Sequence, residues 1–492
     1  MNSGTYPDAT PEQIDGAFAF ACRASWVLRE TGAERRARFL DEIAARILAL
    51  GAALLDVCSR ETALPIARLV SERARTVDQL AKFAAHVREG SWLDATIDHA
   101  DPDRRPVPKP DVRRMNVPVG PVVVFGASNF PLAFSVAGGD TASAIAAGCP
   151  VIVKAHPAHP ETSELVAGAI EAARTAAGMP EGTFALLHGA SPAVGRALVA
   201  HPGARVVAFT GSLRGGRALL DVAAARPEPI PVHAEMGSTN PVFVLPGAME
   251  ERAGAIAAGL HQSFTLGVGQ FCTNPGLVFA LAGNATDRFV AELDRLVAST
   301  PPATMLTPAI QAAFDAGVAR RTHADGVQVL ARGIAGPGAA PVVARTTAVA
   351  FLREPALLDE VFGPFTLVVV SANAGELLDL ARALPGQLTA TVHAVSEDFD
   401  RHPDLIALLG ERAGRLVCNG FPTGVEVCPS MHHGGPYPAT TDPRSTSVGI
   451  AAMRRFLRPL CFQGFPQKRL PPELQDDNPL RIPRLVDGTW LR

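Results

Sequence analysis

Apolar positions over roughly the first ninety residues recur at the spacing of an amphipathic helix. Leu80, Phe83 and Val87 fall on one face of such a helix, and Gly90 follows them as a residue that commonly ends one. Residues 10–13 (TPEQ) have the sequence of an N-cap, a first-turn proline and a capping-box glutamine. The pattern therefore predicts helices before any sheet begins.

The spacing changes near residue 119, where short apolar runs begin to alternate with helical segments. The predicted strands are 119–126, 150–155, 183–188 and 205–209, and the predicted helices are about 138–148, 161–177, 192–200 and 213–225. A second alternating region spans 230–460, with strands near 241–245, 276–280, 366–370, 390–394 and 415–418. Strands that alternate with helices build parallel sheets, which bind ligands at the carboxyl ends of their strands.

Composition and charge narrow the classes of protein to consider. The chain has 492 residues, 47% of them hydrophobic, which is enough for two or three packed domains. A net charge of -3 without a basic stripe argues against a nucleic-acid partner. Neither a membrane-length apolar run nor a secretory signal is visible, so we expect a cytoplasmic protein without membrane association. Seven cysteines without a CxxC pair favour neither a disulfide framework nor structural zinc.

One cysteine lies in a glycine-rich segment. Residues 267–275 (GVGQFCTNP) place Cys272 after a predicted helix and among small residues. A nucleophile that attacks a flat carbonyl needs small neighbours and accessible backbone N–H groups, and glycines provide both. An isolated cysteine is more often an inert core residue. Taken alone, this segment leaves a nucleophile and a structural cysteine both open.

Two more polar residues follow predicted strand ends. Glu235 closes an apolar strand before a Gly-Ser turn, where a carboxylate can take a proton from water or can be an ordinary surface residue. Asn129 follows the first parallel strand, where its amide can donate to an oxyanion or serve a turn. Phe130 and Phe134 recur at helical spacing beyond it and are candidates for a substrate passage or for core packing.

Two further strand ends are candidates for contact with a dinucleotide. Lys154 ends the second strand, where its amine can meet a ribose or a phosphate or simply extend into water. Residues 209–215 (FTGSLRG) combine a strand end, a Gly-Ser turn and a helix start, which together offer backbone N–H groups to a pyrophosphate. The GxGxxG dinucleotide fingerprint is absent, so neither feature is specific by itself.

Six motifs, taken in their order, resemble those of the aldehyde dehydrogenase superfamily over about residues 1–465. They are residues 129–131 (NFP), Lys154, 209–212 (FTGS), 235–237 (EMG), 269–272 (GQFC) and 360–364 (EVFGP). Their order and rough spacing are far more specific than any one motif. The resemblance implies an α/β fold with a parallel-sheet cofactor domain, a second α/β catalytic domain and a small oligomerisation extension.

The same resemblance implies a division of the chain. Residues 1–100 and 117–236 are expected to form the dinucleotide-binding domain, and 237–450 the catalytic domain. Residues 101–116 and 451–492 are expected to form the oligomerisation extension and tail, with the proline-rich tail lying over a neighbour or another subunit. A homodimer or homotetramer is the expected assembly.

The resemblance also implies roles for individual residues. Cys272 is the nucleophile, Glu235 the base that activates water, and Asn129, with the backbone N–H of Cys272, the oxyanion hole. The expected cofactor contacts are Lys154, His156, Gly211, Ser212, Gly215, Glu360 and Phe362, and the expected substrate contacts are Phe130 and Phe134. No metal site is expected, because the histidines His156, His159, His432 and His433 do not show the spacing of a ligand cluster.

One departure from the family pattern bears on the cofactor. The usual Lys-Pro-Ser/Ala-Glu is here residues 154–157 (KAHP), so the carboxylate that would repel a 2′-phosphate is missing at Pro157. His156 can approach such a phosphate. NADP is therefore favoured, and NAD stays possible because no arginine or lysine is an obvious phosphate clamp.

A narrower resemblance concerns the substrate. Residues 127–160, 267–276 and 419–441 resemble the α-ketoglutarate semialdehyde (2,5-dioxopentanoate) dehydrogenases. This implies NAD(P)-dependent oxidation of that small-molecule aldehyde to 2-oxoglutarate, through a thiohemiacetal and a thioester on Cys272. NADP-dependent long-chain aldehyde dehydrogenases share much of the pattern, so a long aliphatic aldehyde is an alternative. A thiol hydrolase and a non-catalytic binding protein on this scaffold are weaker alternatives, because the cofactor and catalytic motifs are intact.

Overall fold

The computed structural model describes residues 6–491. The helices in chain order are α1 (Pro11–Arg29), α2 (Ala33–Ala49), α3 (Gly51–Thr62), α4 (Ile66–Glu89), α5 (Gly139–Ala147), α6 (Pro160–Ala176), α7 (Pro192–Ala200), α8 (Leu213–Ala224), α9 (Pro246–Thr265), α10 (Asn284–Ala298), α11 (Pro308–Thr322), α12 (Ala348–Arg353), α13 (Ala374–Ala383), α14 (Ser396–Arg401) and α15 (Pro403–Arg412).

The strands form three sheets and are described in the same order. They are β1 (Thr96–Asp98), β2 (Val112–Pro118), β3 (Val122–Phe125), β4 (Val151–Lys154), β5 (Phe184–Leu187), β6 (Val206–Thr210), β7 (Val232–Glu235), β8 (Val242–Val244), β9 (Leu277–Leu281), β10 (Gln328–Arg332), β11 (Val342–Thr347), β12 (Phe365–Ser371), β13 (Gln387–His393), β14 (Ala413–Cys418), β15 (Leu457–Gln463), β16 (Arg484–Val486) and β17 (Thr489–Leu491).

Four helices open the chain, as the apolar spacing predicts. Thr10 caps α1 by accepting from the N–H of Gln13, and the Gln13 side chain accepts in return from the N–H of Thr10. Helix α4 ends at Gly90, whose φ of 88° is the left-handed conformation that glycine tolerates. Among residues 6–491, none of the helices is long and apolar enough to cross a membrane.

The first sheet is wholly parallel and has the order β5-β4-β3-β6-β7. Each strand and helix predicted for residues 119–225 is present, with ends that differ by at most about three residues. The register pairs Phe125 with both Lys154 and Phe209, and Thr210 with Glu235. The carboxyl ends of these strands therefore lie side by side at one edge of the sheet.

Helices cover both faces of this sheet, which explains why its strands are continuous apolar runs. Val122 and Val124 pack with the helices α2 and α4, through residues such as Phe83. Val123 points the other way and packs with Phe18 of α1 and Leu198 of α7. Alternate residues of β3 thus enter two different cores.

The second sheet has seven strands in the order β10-β11-β12-β9-β8-β13-β14, and only β10 runs antiparallel to its neighbour. The five strands predicted for this region are all present. Strands β10 and β11 were not among them, because their segments mix polar and apolar residues with glycine and proline nearby. Every residue of β12 and β13 is buried, as expected for central parallel strands.

The third sheet joins distant parts of the chain in the order β15-β2-β1-β16-β17. The extension predicted at 101–116 is exposed up to its last residues, where β2 begins. Within the predicted tail, Leu470, Leu474 and Ile482 are buried with the opening helices of the same chain. Arg113, itself buried, fixes this packing by donating to the carbonyl of Leu474 at 2.7 Å.

Candidate active site

Cys272 lies in a tight loop that follows helix α9. Gly267, Val268 and Gly269 take left-handed backbone angles, with φ of 56°, 61° and 64°. A Cβ on Gly269 would come within 2.3 Å of the carbonyl carbon of Gly363, so only glycine fits there. The half-buried thiol therefore lies beyond a sharp turn rather than on the helix itself.

A buried amide holds the backbone around the thiol. Asn240 Nδ2 donates to the carbonyl oxygens of Cys272 and Asn274 at 2.8 and 3.0 Å. Asn240 has a φ of 45°, a left-handed conformation that asparagine adopts more readily than most residues. Because Asn240 follows the turn after β7, the strand that ends in Glu235 also anchors the cysteine loop.

The predicted oxyanion donor, Asn129, is buried beside the same loop. Its side-chain Nδ2 donates to the backbone carbonyl of Gln270 at 2.9 Å, and its backbone carbonyl accepts from Arg68 Nη2 at 2.6 Å. An amide group has two N–H bonds, so the second can donate to an oxyanion. The structure thus brings Asn129 to the residues immediately before Cys272.

Glu235 reaches the cysteine together with a histidine. His433 Nε2 lies 3.4 Å from Cys272 Sγ and 3.0 Å from Glu235 Oε1. Both Glu235 and His433 are buried, and Ser447 Oγ donates to the other carboxylate oxygen, Oε2. One carboxylate oxygen is thereby fixed, while the other faces the imidazole and the thiol.

His433 was not predicted as part of the site. It comes from a loop that runs beside β7, where the N–H of Met236 donates to Ala439 and the N–H of Thr441 donates to Ala234. Nothing in the spacing of the sequence shows that His433 contacts a sulfur atom 161 positions earlier in the chain.

The expectation of no metal site rests on the spacing of residues along the sequence. In the structure, three possible metal ligands that are far apart in the sequence lie close together. Ligand atoms of Glu235, Cys272 and His433 all lie within 4.8 Å of one another. Three such ligands with an open fourth position are a set that zinc can use. The same three groups also suit proton transfer to and from a thiol.

The charges of this cluster differ from those of the free side chains. Burial raises the pKa of the Cys272 thiol, and the negative charge of Glu235 raises it further. Burial also favours a neutral Glu235, but the nearby His433, the hydrogen bond from Ser447 and the nearby Cys272 together hold the pKa of that carboxyl below its usual value. At neutral pH the resting site therefore has a protonated thiol beside an ionised carboxylate.

The two residues expected at the adenosine end of the cofactor lie at the end of β4. Burial lowers the pKa of Lys154, which is half-buried. His156 Nδ1 accepts from the N–H of Ala158 at 3.1 Å, which leaves the proton on Nε2. Burial, together with the charges of His159 and Lys154, lowers the pKa of His156 to about 3. His156 can therefore donate a hydrogen bond to a phosphate but carries no charge at neutral pH.

The turn after β6 fits a pyrophosphate. Ser212 is the N-cap of α8, and its Oγ accepts from the N–H of Gly215 at 3.2 Å. A Cβ on Gly211 or Gly215 would come within 2.6 or 2.9 Å of Phe209 Cζ, so glycine is required at both positions for the ring to lie against the turn. Gly211 and Ser212 are exposed, which leaves the helix N-terminus open to an anion.

Glu360 and Phe362 approach from the second sheet. A Cβ on Gly237 would come within 2.4 Å of Glu360 Oε2, so the carboxylate lies directly over the turn after Glu235. Burial raises the pKa of Glu360 to about 7, although the backbone N–H of Ser238 opposes the shift. The glycines at positions 211, 215 and 237 thus let Phe209 and Glu360 lie against the turns at this sheet edge.

Three phenylalanines, one of them unpredicted, form an aromatic wall beside the thiol. Phe130 makes edge contacts with Phe134 and Phe271, with ring centroids 5.3 and 5.4 Å apart. All three rings are partly exposed. Phe271 directly precedes Cys272, so the wall leads away from the reactive sulfur and suits a substrate passage.

Comparisons with known proteins identify the family of this chain. Residues 2–446 match the model described as the aldehyde dehydrogenase family. The chain is 53% identical over 483 residues to alpha-ketoglutaric semialdehyde dehydrogenase 2 of Azospirillum brasilense, a match that covers 98% of this chain and 92% of that one. It is 45% identical over 487 residues to alpha-ketoglutaric semialdehyde dehydrogenase of Acinetobacter baylyi, with the same coverage of 98% and 92%.

A solved structure shows the same fold at lower identity. The NAD-dependent aldehyde dehydrogenase of Sinorhizobium meliloti superposes with a TM-score of 0.77 at 24% identity. The superposition covers 94% of this chain and 89% of that one. The arrangement of parallel-rich sheets is therefore shared well beyond the range of close sequence similarity.

The charge of Glu235 can be tested on the thiol itself. We expect Glu235→Gln to move the pH midpoint for alkylation of Cys272 by iodoacetamide to a lower pH, because a removed negative charge lowers the pKa of the thiol. Mass spectrometry of the peptide that contains Cys272 measures the rate at each pH, and Cys272→Ser gives the background from other cysteines. A midpoint that stays in place or rises contradicts this electrostatic assignment.

Proposed function

This chain belongs to the aldehyde dehydrogenase family, and from that premise we propose that its substrate is 2,5-dioxopentanoate (α-ketoglutarate semialdehyde), oxidised to 2-oxoglutarate. The activity of the family is NAD(P)-dependent oxidation of an aldehyde. The observation that carries the proposal is the cluster of Cys272, Glu235, Asn129 and His433 in a chain that is 53% identical to a dehydrogenase named for this substrate.

The first step in this proposal is attack of Cys272 Sγ on the aldehyde carbon. His433 Nε2 takes the thiol proton, and the adjacent Glu235 Oε1 stabilises the imidazolium that results. The carbonyl oxygen becomes an oxyanion that receives N–H bonds from Asn129 Nδ2 and the backbone of Cys272. A single donor of this kind lowers the barrier by about 3 kcal/mol. The product is a thiohemiacetal on the sulfur.

A nicotinamide dinucleotide, when bound, would supply the hydride acceptor for oxidation of the thiohemiacetal. The residues that would hold it are Lys154 and His156 at the adenosine end, the turn of Gly211, Ser212 and Gly215 at the pyrophosphate, and Glu360 with Phe362 at the nicotinamide end. These residues would position the dinucleotide against the thiohemiacetal, because a fixed geometry removes most of the entropic cost of the step.

The second half of the reaction needs a base for water. Glu235 is ionised at rest, and Ser447 fixes one of its oxygens so that the other faces Cys272 Sγ. The carboxylate removes a proton from water, and the oxygen attacks the thioester carbon as the acid forms. The sulfur leaves as a thiolate that takes back the proton held on His433 Nε2. A single buried carboxylate can serve here because the proton it takes up leaves with the solvent between turnovers.

A long aliphatic aldehyde is the second candidate substrate. The wall of Phe130, Phe134 and Phe271 favours it, because an apolar chain would pack against the three rings. The identity of 45–53% to two dehydrogenases named for the dioxo acid favours the first candidate more strongly.

We also propose that the cofactor is NADP in preference to NAD. Pro157 is exposed at the end of β4 and has no carboxylate to repel a 2′-phosphate. Lys154 lies at the same strand end and supplies positive charge, and the neutral His156 offers an N–H. NAD binds without these contacts, so a preference rather than a requirement is expected.

Assembly into a homodimer or homotetramer is part of the proposal. Trp490 and Leu491 of the edge strand β17 are 65% and 50% exposed, which is unusual for large apolar residues and suits an interface. The division into dinucleotide-binding, catalytic and oligomerisation parts remains our proposal, as does a cytoplasmic location.

Loss of the histidine should slow the attack on the aldehyde. We expect His433→Asn to lower kcat/KM by about 100-fold, since removal of a proton acceptor typically costs this much. The Kd for the dinucleotide, measured by quenching of protein fluorescence, should stay unchanged. His432→Asn is the matched control one position away, and equal losses in the two variants would contradict the assignment.

A single carboxylate should reverse the cofactor preference. We expect Pro157→Glu to raise KM for NADP at least tenfold and to leave KM for NAD within about threefold, because the new charge repels only the 2′-phosphate. In Pro157→Gln the new side chain has the size of glutamate but no charge, so KM for either cofactor should change little. Initial rates at 340 nm give KM for both cofactors in the wild-type enzyme and in both variants, and equal behaviour of the two variants would refute the proposal.

The substrate assignment needs a direct comparison of aldehydes. We expect kcat/KM for 2,5-dioxopentanoate to exceed that for hexanal or decanal by about 100-fold or more, with NADP as cofactor. Reduction of the dinucleotide at 340 nm is the measurement. A higher value for the aliphatic aldehydes would keep the mechanism and replace the substrate.

A further inference from the structure

Helix α4 presents two arginines to the aromatic wall. Arg68 Cζ lies 5.0 Å from the ring centroid of Phe130 and 4.9 Å from that of Phe271, and Arg75 Cζ lies 5.5 Å from that of Phe134. The two arginines are seven positions apart, which places them on one face of the helix, two turns from each other. One side of the apolar passage therefore carries positive charge.

The Arg75 guanidinium is only partly satisfied. Its Nη1 donates to the carbonyl of Val425 at 2.7 Å. Its Nε and Nη2 are buried and make no hydrogen bond to any of residues 6–491. These two nitrogens form the edge of the group that binds a carboxylate through two parallel N–H bonds. Buried donors without partners are uncommon and costly, so this edge is suited to a ligand.

We propose that the open edge of Arg75 binds the carboxylate of the substrate and makes this enzyme selective for an ω-aldehyde acid. The inference rests on the proposed function, since 2,5-dioxopentanoate carries such a group at the opposite end from its aldehyde. A five-carbon chain spans about 5 Å between those ends. With the aldehyde at Cys272, the acid end lies along the wall that runs from Phe271 toward α4.

Arg68 supports this arrangement from the next position along the wall. Its Nη2 holds the carbonyl of Asn129, and its buried Nη1 is without a partner in the described chain. Nη1 would lie 3.0 Å from a Cβ at position 267, where glycine leaves the space free. Arg68 thus adds charge near the oxyanion hole while it positions Asn129.

Charged neighbours of Arg75 do not cancel its charge. Glu72, on the same helix, turns Oε1 to the backbone N–H groups of Leu132 and Ala133 at 2.8 and 3.0 Å. It forms no ion pair within 4.0 Å with Arg75. Burial lowers the pKa of Arg75, and electrostatic interaction with Cys272, Glu72, Glu426 and Glu235 opposes that shift, which agrees with a position facing the reactive cluster.

A third arginine near the site, Arg415, is less suited to binding the substrate carboxylate. Arg415 also interacts electrostatically with Cys272. Its Nη2 donates to the carbonyl of Pro422 at 2.7 Å and its Nη1 to that of Gly424 at 3.2 Å. Only Nε is unpaired, so Arg415 has no complete edge to offer a carboxylate.

The test compares a charged and a neutral aldehyde of equal length in Arg75→Met, Arg75→Lys and the wild-type enzyme. We expect Arg75→Met to lower kcat/KM for 2,5-dioxopentanoate at least 100-fold and that for pentanal less than threefold. Arg75→Lys keeps the charge without the fork and should lose about tenfold on the dioxo acid. Arg73→Met is the control, because Arg73 lies on the same helix and donates instead to Gly51.

A second readout does not depend on turnover. The product 2-oxoglutarate has the same carboxylate and should protect Cys272 from iodoacetamide. In Arg75→Met, the concentration of 2-oxoglutarate that gives half-maximal protection should rise at least tenfold. This measurement also shows whether that variant keeps a folded site, since its unprotected alkylation rate should match the wild-type rate within a few-fold.

The possible outcomes distinguish failure of the inference about Arg75 from failure of the proposed function. Equal losses on both aldehydes would assign Arg75 to the thiol or the fold and overturn the inference, as would no loss on either. A loss on the dioxo acid in Arg415→Met but not in Arg75→Met would move the carboxylate site to Arg415. A wild-type enzyme that does not prefer the dioxo acid to pentanal would instead refute the proposed function, and the inference with it.

Discussion

The loop that runs beside β7 holds the two halves of the site together. Backbone hydrogen bonds from Met236 to Ala439 and from Thr441 to Ala234 fasten this loop to the last strand of the first sheet. The strand supplies Glu235, and the loop supplies His433 and, a few residues later, Ser447. Without that pairing the carboxylate would remain at a sheet edge with no partner, and its burial would favour the neutral acid. The chemistry of Cys272 therefore depends on backbone bonds that include none of the reacting groups.

Most of the fold follows from local patterns. Strands such as β3 and β4 are buried on both faces, so their sequences are uninterrupted apolar runs, and helices of standard length separate them. The third sheet could not be predicted in this way. Strands β1, β16 and β17 have only three residues each, few residues of the sheet are buried, and β2 pairs with β15 across more than three hundred residues. Such pairing is decided by packing over the whole chain, and no local period encodes it.

The site was predictable only as far as its residues belong to motifs. Cys272, Glu235 and Asn129 each stand in a segment with a recognisable order, and the parallel register of the first sheet brings the strand ends together. His433 and Arg75 have no such signal. A histidine in a proline-rich loop and an arginine on a helix of mixed charge both have ordinary surface interpretations, and only the tertiary contacts show that both are turned inward.

Proton balance explains why the resting site can be buried and still reactive. A thiolate beside the ionised Glu235 would place two negative charges in a poorly hydrated space, so the pKa of Cys272 rises and the thiol keeps its proton. In the proposed mechanism the attack requires a base between Cys272 and Glu235 that takes the thiol proton, and His433 Nε2 lies 3.4 Å from Sγ and 3.0 Å from Oε1. The imidazolium that forms is paired with a carboxylate from the start. Negative charge then develops on the substrate oxygen, where Asn129 stands, and the net charge of the buried cluster does not change during the step.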